Sequence, residues 1–155
     1  MGANAELLKD HPLLQRMTGE QLERFARAGE LEMFKEGEDV VVAGSLGDSF
    51  YLILTGSATV HVGAKSIATL QAGEFFGEMS LLEPALRSAT VRAAELCELF
   101  RVPHFAMANL LQDDPSTMTL MLVALVRVLS QRLRQTNALV GSVAKLSDFL
   151  QGSLV

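Results

Sequence analysis

Hydrophobic and polar positions change period twice along this chain. Residues 5–28 follow the helical period in short runs. Asp10-His11-Pro12 interrupts them, because a residue before proline is pushed out of the helical region. Thr18 stands three residues before Gln21, the spacing of a capping box. Leu22, Phe25 and Ala26 supply the apolar face of the helix that follows, and Gly29 is placed at its end as a C′ residue. From Leu31 the period becomes two. Leu31 to Phe34 and Asp39 to Val42 read as strands around the turn Lys35-Glu36-Gly37-Glu38. Phe50 to Leu54 is a strongly β run closed by Thr55-Gly56-Ser57. Ala58 to Val62 and Ser66 to Leu70 flank the short connection Gly63-Ala64-Lys65, as in a hairpin. Ser88 to Val102 alternates again. Turns at this spacing predict an antiparallel barrel or jelly roll, not βαβ units.

After Pro103 the helical period returns. Phe105 to Gln112 forms one short helix. Pro115 suits the first turn of the next, which runs without a strong break from about Ser116 to Leu150. Its length would be roughly 50 Å, more than a domain of this size needs to cover its own core. Leu122, Val126, Leu129, Leu133, Thr136, Val140 and Val143 step by four and three, as do Leu139, Val143, Leu146 and Leu150. That is the coiled-coil period. A helix packed on its own barrel with a frayed end also fits. The length favours a homodimer seam, in which Gly141 is a weak point.

Composition narrows the classes. The chain has 155 residues, which suits one domain over 1–155. Its apolar fraction of 49 % excludes general disorder. A net charge of −5 argues against direct nucleic-acid binding. The lone Cys97 sits in the apolar run Leu96 to Phe100, where it reads as a small core residue. The first residues lack a basic start followed by an apolar run. Glu6 stands where myristoylation wants Ser or Thr. The most apolar run, Leu120 to Val126, is far below the roughly 20 residues that span a bilayer. The expectation is a cytoplasmic protein with no membrane contact.

Candidate chemistry concentrates between Gly73 and Ala93. Gly73 and Gly77 permit backbone conformations that other residues resist. Residues 78–83 can make one or two helical turns, whose leading N–H groups attract an anion. Arg87 follows, with a guanidinium that can grip phosphate oxygens in pairs. Ser88 adds a hydroxyl. Glu78 can accept hydrogen bonds from a sugar. Together they would hold a sugar phosphate. The alternative is that Glu78 and Arg87 pair with each other or face water.

Several stretches in order carry a resemblance: Gly37-Glu38, Gly44, Gly47-Asp48, Phe50-Tyr51, Ile53, Gly56, Val60, Leu70, Gly73, Phe76-Gly77-Glu78, Leu81-Leu82 and Arg87-Ser88-Ala89-Thr90-Val91. Over roughly residues 7–140 the chain resembles the cyclic-nucleotide-binding domain. This is the ligand module of the catabolite activator protein, of the regulatory subunit of cyclic-AMP-dependent kinase and of nucleotide-gated channels. The resemblance implies an α+β fold: a β-jelly-roll barrel over 31–102, N-terminal helices over 5–28 and C-terminal helices over 104–152. It implies a phosphate cassette over 76–91, with Phe76, Gly77, Glu78, Met79, Ser80, Arg87, Ser88 and Ala89 at the ligand. Glu78 would take the ribose 2′-hydroxyl. Arg87 would take the cyclic phosphate, with Ser88 and backbone N–H groups of Ser88 and Ala89. Gly37, Gly44, Gly47 and Gly56 would be turn residues, with Asp48 in the turn too. Arg132-Leu133-Arg134-Gln135-Thr136-Asn137 is similar to the stretch that meets the base, which sets Thr136 and Asn137 at the adenine. Asn137 stands where the activator protein has Ser, and the helix runs about one turn longer before Leu133.

The implied function is a sensor for cyclic AMP, in preference to cyclic GMP, with no catalytic activity. The chain stops straight after the long helix, so an output would run through that helix to a partner protein or a homodimer. Two alternatives are a jelly-roll interaction module that has lost nucleotide binding and a cupin-type metalloenzyme. The latter needs clustered His and acid ligands, whereas His11, His61 and His104 lie far apart in sequence. No metal is expected.

Overall fold

The computed structural model describes residues 1–81 and 83–153. Leu82, one of the residues behind the resemblance, lies outside the described residues. Two compact units are present, Met1–Met121 and Leu122–Val155.

The first unit opens with two short helices, α1 (Ala3–Leu8) and α2 (Gly19–Ala26). The capping box at the start of α2 is formed. Gln21 N–H donates to Thr18 Oγ1 at 3.2 Å, and Thr18 N–H donates to Gln21 Oε1 at 2.9 Å. Such a cap stabilises by about 1 kcal/mol. Leu22, Phe25 and Ala26 are buried as the helical period required. Gly29 is not a left-handed cap: α2 ends at Ala26, and Gly29 has no positive φ. It is a close-approach site. A Cβ there would lie 2.4 Å from the carbonyl oxygen of Arg101 and 2.7 Å from the ring of Phe100.

Ten strands follow: β1 (Glu30–Phe34), β2 (Asp39–Val41), β3 (Leu46–Gly47), β4 (Ser49–Thr55), β5 (Ser57–Val62), β6 (Lys65–Gln71), β7 (Phe75–Phe76), β8 (Ala85–Leu86), β9 (Thr90–Ala93) and β10 (Cys97–Pro103). They do not close into one barrel. One antiparallel sheet has the order β1-β10-β4-β7, a second has β2-β9-β5-β6, and β3 pairs with β8. The result is jelly-roll-like and open. Tyr51, Ile53, Phe76, Cys97 and Leu99 from the first sheet and Ala58, Val91 and Ala93 from the second form one buried cluster. Cys97 is buried there, as its apolar run implied.

Strand β4 is buried on both faces from Ser49 to Ile53, so its period-two signal is weak while its β-propensity is strong. Tyr51 and Ile53 join the inter-sheet cluster. Phe50 pairs with Phe75 at 5.7 Å between ring centroids, and Phe100 pairs with Phe25 of α2 at 5.9 Å. Aromatic pairs of this kind add about 0.5–1.5 kcal/mol beyond their burial. Two further helices come after the strands, α3 (His104–Asp113) and α4 (Pro115–Ser153). Asp114 is buried just before α4. Its carboxylate accepts from Thr117 Oγ1 at 2.6 Å, Ser116 Oγ at 2.8 Å and Arg24 Nη1 at 2.7 Å. These bonds hold it well below the usual carboxylate range.

The second unit is the remainder of α4. The helix has 39 residues, a span of roughly 58 Å. Val126, Leu133, Leu139, Val140, Val143, Leu146, Phe149 and Leu150 are exposed along it. By length and composition α4 is apolar enough to cross a membrane, which the short run Leu120–Val126 taken alone did not suggest.

A Gly29→Ala variant tests the packing of α2 against β10. The added methyl meets backbone, which cannot swing aside, so overpacking should cost about 1–3 kcal/mol. A lowered urea midpoint with an unchanged slope is the expected result.

Candidate functional site

The β3–β8 pair delivers the central residue. Leu46 faces Leu86 and Gly47 faces Ala85 in its register, and Arg87 follows at once. Two backbone hydrogen bonds fix the peptide of Arg87 to the neighbouring turn. Gly44 N–H donates to Arg87 O at 2.8 Å, and Arg87 N–H donates to Ser45 O at 2.8 Å. Position 87 is thus set before its side chain does anything.

The side chain lies half-buried over β4. Arg87 Nη2 donates to Ser49 O at 2.8 Å, and Nη1 reaches Ser80 Oγ at 3.4 Å. The guanidinium carbon lies 6.0 Å from the centroid of the Tyr51 ring. Tyr51 in turn stacks on Phe76 at 4.9 Å with 8° between planes. Two glycines make the room. A Cβ on Gly47 would sit 2.4 Å from Arg87 Nε, and one on Gly77 would sit 2.8 Å from Nη1 and 2.7 Å from Ser49 O. Gly47 therefore lies in an extended strand as the floor under Arg87; it is not the turn residue that the sequence suggested.

The electrostatics follow from these neighbours. Burial pushes the Arg87 guanidinium below its ordinary pKa, partly opposed by Tyr51, Asp48 and Glu78. Its hydrogen-bond partners are a carbonyl and a hydroxyl, both neutral. Among the described residues it makes no ion pair, so the alternative in which Glu78 and Arg87 neutralise each other is not what forms. Asp48 is engaged locally: its Oδ1 accepts from Ser49 Oγ at 2.9 Å and lies 3.7 Å from Arg101 Nη2.

The other cassette residues surround this centre. Phe76 is buried in β7. Gly77 has φ +81°, a left-handed value suited to glycine, and it turns the chain into the single 3-10 turn Glu78–Ser80. Glu78 is half-buried at the head of that turn. Met79 points outward, 69 % exposed, whereas Ser80 is buried and supports Arg87. Ser88 is exposed and Ala89 half-buried in the connection to β9. The structure brings Gly77 and Ser80 to the Arg87 side chain, with Phe76 stacked on the Tyr51 ring beside it. Thr136 and Asn137 belong to the second unit, exposed on α4, where Thr136 Oγ1 donates to Arg132 O at 3.0 Å.

Sequence reasoning missed Gly47, Ser49 and Tyr51 as parts of the site. Tyr51, the one tyrosine, was legible as a core strand residue. Nothing in a sequence marks the Ser49 carbonyl, because every residue has one. Among the described residues no three His, Cys, Asp or Glu side chains gather to hold a metal. His61 Nε2 lies 2.7 Å from Thr59 Oγ1, and His104 Nδ1 lies 3.3 Å from Leu81 O, in separate places. The assembled groups can hold an anion on Arg87 beside a hydroxylated group on Glu78.

Comparison with known proteins bears on this geometry. The model of the cyclic nucleotide-binding domain matches residues 31–138. A cAMP-dependent protein kinase regulatory subunit of Schizosaccharomyces pombe is 35 % identical over 102 residues, 64 % of this chain and 25 % of that protein. A cGMP-dependent protein kinase of Toxoplasma gondii is 35 % identical over 92 residues, 59 % of this chain and 9 % of that protein. The chain thus spans a quarter or less of these curated relatives. Among solved structures, the Thermus thermophilus catabolite activator protein superposes with a TM-score of 0.72 at 27 % identity, over 86 % of this chain and 63 % of that one. A cyclic nucleotide-binding domain from Methylobacillus flagellatus reaches 0.77 at 23 % identity, over 86 % and 82 %, and shows the same fold.

A Gly47→Ala variant separates site from scaffold. The methyl displaces only a flexible side chain, so the thermal midpoint should change little. The guanidinium loses its bed, so affinity for a cyclic nucleotide should fall about tenfold or more, since each 1.4 kcal/mol is tenfold. Calorimetric titration beside a thermal melt reads both.

Proposed function

The chain belongs to the cyclic nucleotide-binding domain family, and on that premise we propose that it is a non-catalytic sensor module whose cassette takes up cyclic AMP in preference to cyclic GMP. The observation that carries this reading is the state of Arg87: a half-buried guanidinium, fixed by neutral acceptors only, with Glu78 nearby. A cyclic phosphate supplies the countercharge that burial leaves wanting. Ser88 and the peptide N–H groups of Ser88 and Ala89 add donors to the phosphate. Glu78 accepts from the ribose 2′-hydroxyl, and Gly77 admits the sugar close to the backbone. Phe76, Met79 and Ser80 frame the turn, with Ser80 acting through Arg87. Relatives named for both cyclic nucleotides occur, and Ser88 is compatible with either base.

In this reading Thr136 and Asn137 meet the base, and residues 1–155 work as one module. The exposed four-three stripe of α4 joins two copies as a homodimer in the cytoplasm, with neither nucleic acid nor membrane as a direct partner. Binding then alters the helix and the surface offered to an effector protein. A ligand does this only by preferring one helix arrangement over another.

Calorimetry with cyclic AMP and cyclic GMP side by side is the direct test. Binding of neither at millimolar concentration would sink the reading and favour a module that has lost its ligand. Arg87→Ala should lose about 3 kcal/mol or more, on the order of a hundredfold, as two charge-assisted hydrogen bonds go. Glu78→Ala should lose about 1.5–3 kcal/mol. For the seam, sedimentation velocity should show a dimer that Val140→Glu converts to monomer. An unchanged sedimentation coefficient in that variant would exclude this face as the seam.

A further inference from the structure

Arg87 rests on two neutral acceptors from different segments, Ser49 O at the start of β4 and Ser80 Oγ in the turn Glu78–Ser80. One guanidinium reaches both only while their separation is fixed. The residues beside them, Asp48 and Leu81, both meet His104. Its backbone N–H donates to Asp48 O at 2.6 Å, and its ring Nδ1 lies 3.3 Å from Leu81 O. A carbonyl only accepts, so Nδ1 carries the proton and donates. His104 opens α3 directly after β10, and Pro103 of β10 faces Ser49 in the strand register. Backbone contacts therefore hold Ser49 to this corner of the frame. The Ser80 side is a single 3-10 turn closed by Ser80 N–H to Gly77 O and Leu81 N–H to Glu78 O, each 3.0 Å. Its start is fixed where Phe76 faces Tyr51. The carbonyls at its end have no partner within the turn. Burial of the Leu81 side chain is non-directional and leaves its carbonyl to be oriented. The His104 ring supplies that orientation from outside.

We infer that His104 is a positioning residue of the nucleotide site: its ring N–H caps the end of the cassette turn and holds Ser80 at the distance from Ser49 that seats Arg87. The role deepens the nucleotide-binding reading and rests on it. His104 acts on the ligand only through Leu81, Ser80 and Arg87. The requirement is narrow: one N–H donor at the Nδ1 position of the residue that starts α3. An imidazole meets it as the Nδ1–H tautomer and as the cation. An asparagine side chain meets it too, because its amide nitrogen is bonded to Cγ as Nδ1 is. A leucine favours a helix more than asparagine does and donates nothing. An aspartate suits the first turn of a helix but sets an acceptor against the Leu81 carbonyl. If the residue served only α3, leucine and aspartate would therefore rank ahead of asparagine. The donor role puts asparagine first.

The test has two arms, both on the full chain. Hydrogen exchange without nucleotide follows residues 78–81, with residues 104–113 of α3 as the control. Calorimetry with cyclic AMP and cyclic GMP follows affinity. His104→Leu and His104→Asp should speed exchange over 78–81 and leave 104–113 no faster than in wild type. Both should weaken binding roughly fivefold, the order of one neutral hydrogen bond. His104→Asn should match wild type in both arms. His104→Asp carries the test should His104→Leu not fold. Wild-type exchange and affinity in the donor-free variants overturn the role. So does a His104→Asn variant as weak as the other two, which would make the imidazole's shape the cause. Faster exchange over 78–81 with unchanged affinity overturns the link from the turn to Arg87. No binding of either nucleotide by wild type overturns the nucleotide reading and with it the effect on affinity; the exchange arm then decides the cap alone.

Discussion

Everything at the site depends on how one cation is held. A half-buried guanidinium without a carboxylate partner is unstable unless its other surroundings are strongly determined. Here they are. The Arg87 peptide is clamped by Gly44 and Ser45, and the side chain rests on Ser49 O, Ser80 Oγ and the Tyr51 face. Gly47 and Gly77 leave the volume it fills. These contacts are neutral, so they fix position without cancelling charge.

That arrangement requires a stiff floor, and the two sheets provide it. Tyr51 lies beside Arg87 and is itself stacked on Phe76, and both rings belong to the inter-sheet cluster. Ser49 can offer its carbonyl because β4 is buried and paired with β10 and β7. The aromatic pairs Phe50–Phe75 and Phe25–Phe100 then carry the same rigidity outward to α2. Scaffold and site share side chains, so a core change near β4 is also a site change.

The second unit follows a different logic. A helix with an apolar stripe exposed over most of its length gains little from its own intrinsic stability. The four-three spacing of that stripe is the coiled-coil period. The first unit contributes the start of α4, where Asp114 is tied to Arg24, Ser116 and Thr117. The helix therefore begins beside an anchored residue and runs on with its apolar stripe exposed.

Much of this was legible in residue order. The capping box at Thr18 and Gln21, the strand runs and the long helix all rest on local rules of spacing and propensity. Local rules act between residues close in sequence, so a sequence displays them directly. Three things needed the tertiary structure. The strands divide between two sheets because pairing partners such as β4 and β10 lie far apart in the chain. Gly29 and Gly47 look like turn residues, but each is small because a distant segment approaches it, Arg101 and Phe100 in one case and Arg87 in the other. His11 looks like a helix break before proline, yet its ring bridges to Glu74, 63 residues on. The sequence by itself determined which residues carry charge, hydroxyls and apolar surface, and in what local conformations. Only the fold decided that Arg87 would meet a carbonyl and a hydroxyl instead of an acid, because that depends on which distant backbone comes within 3 Å of it.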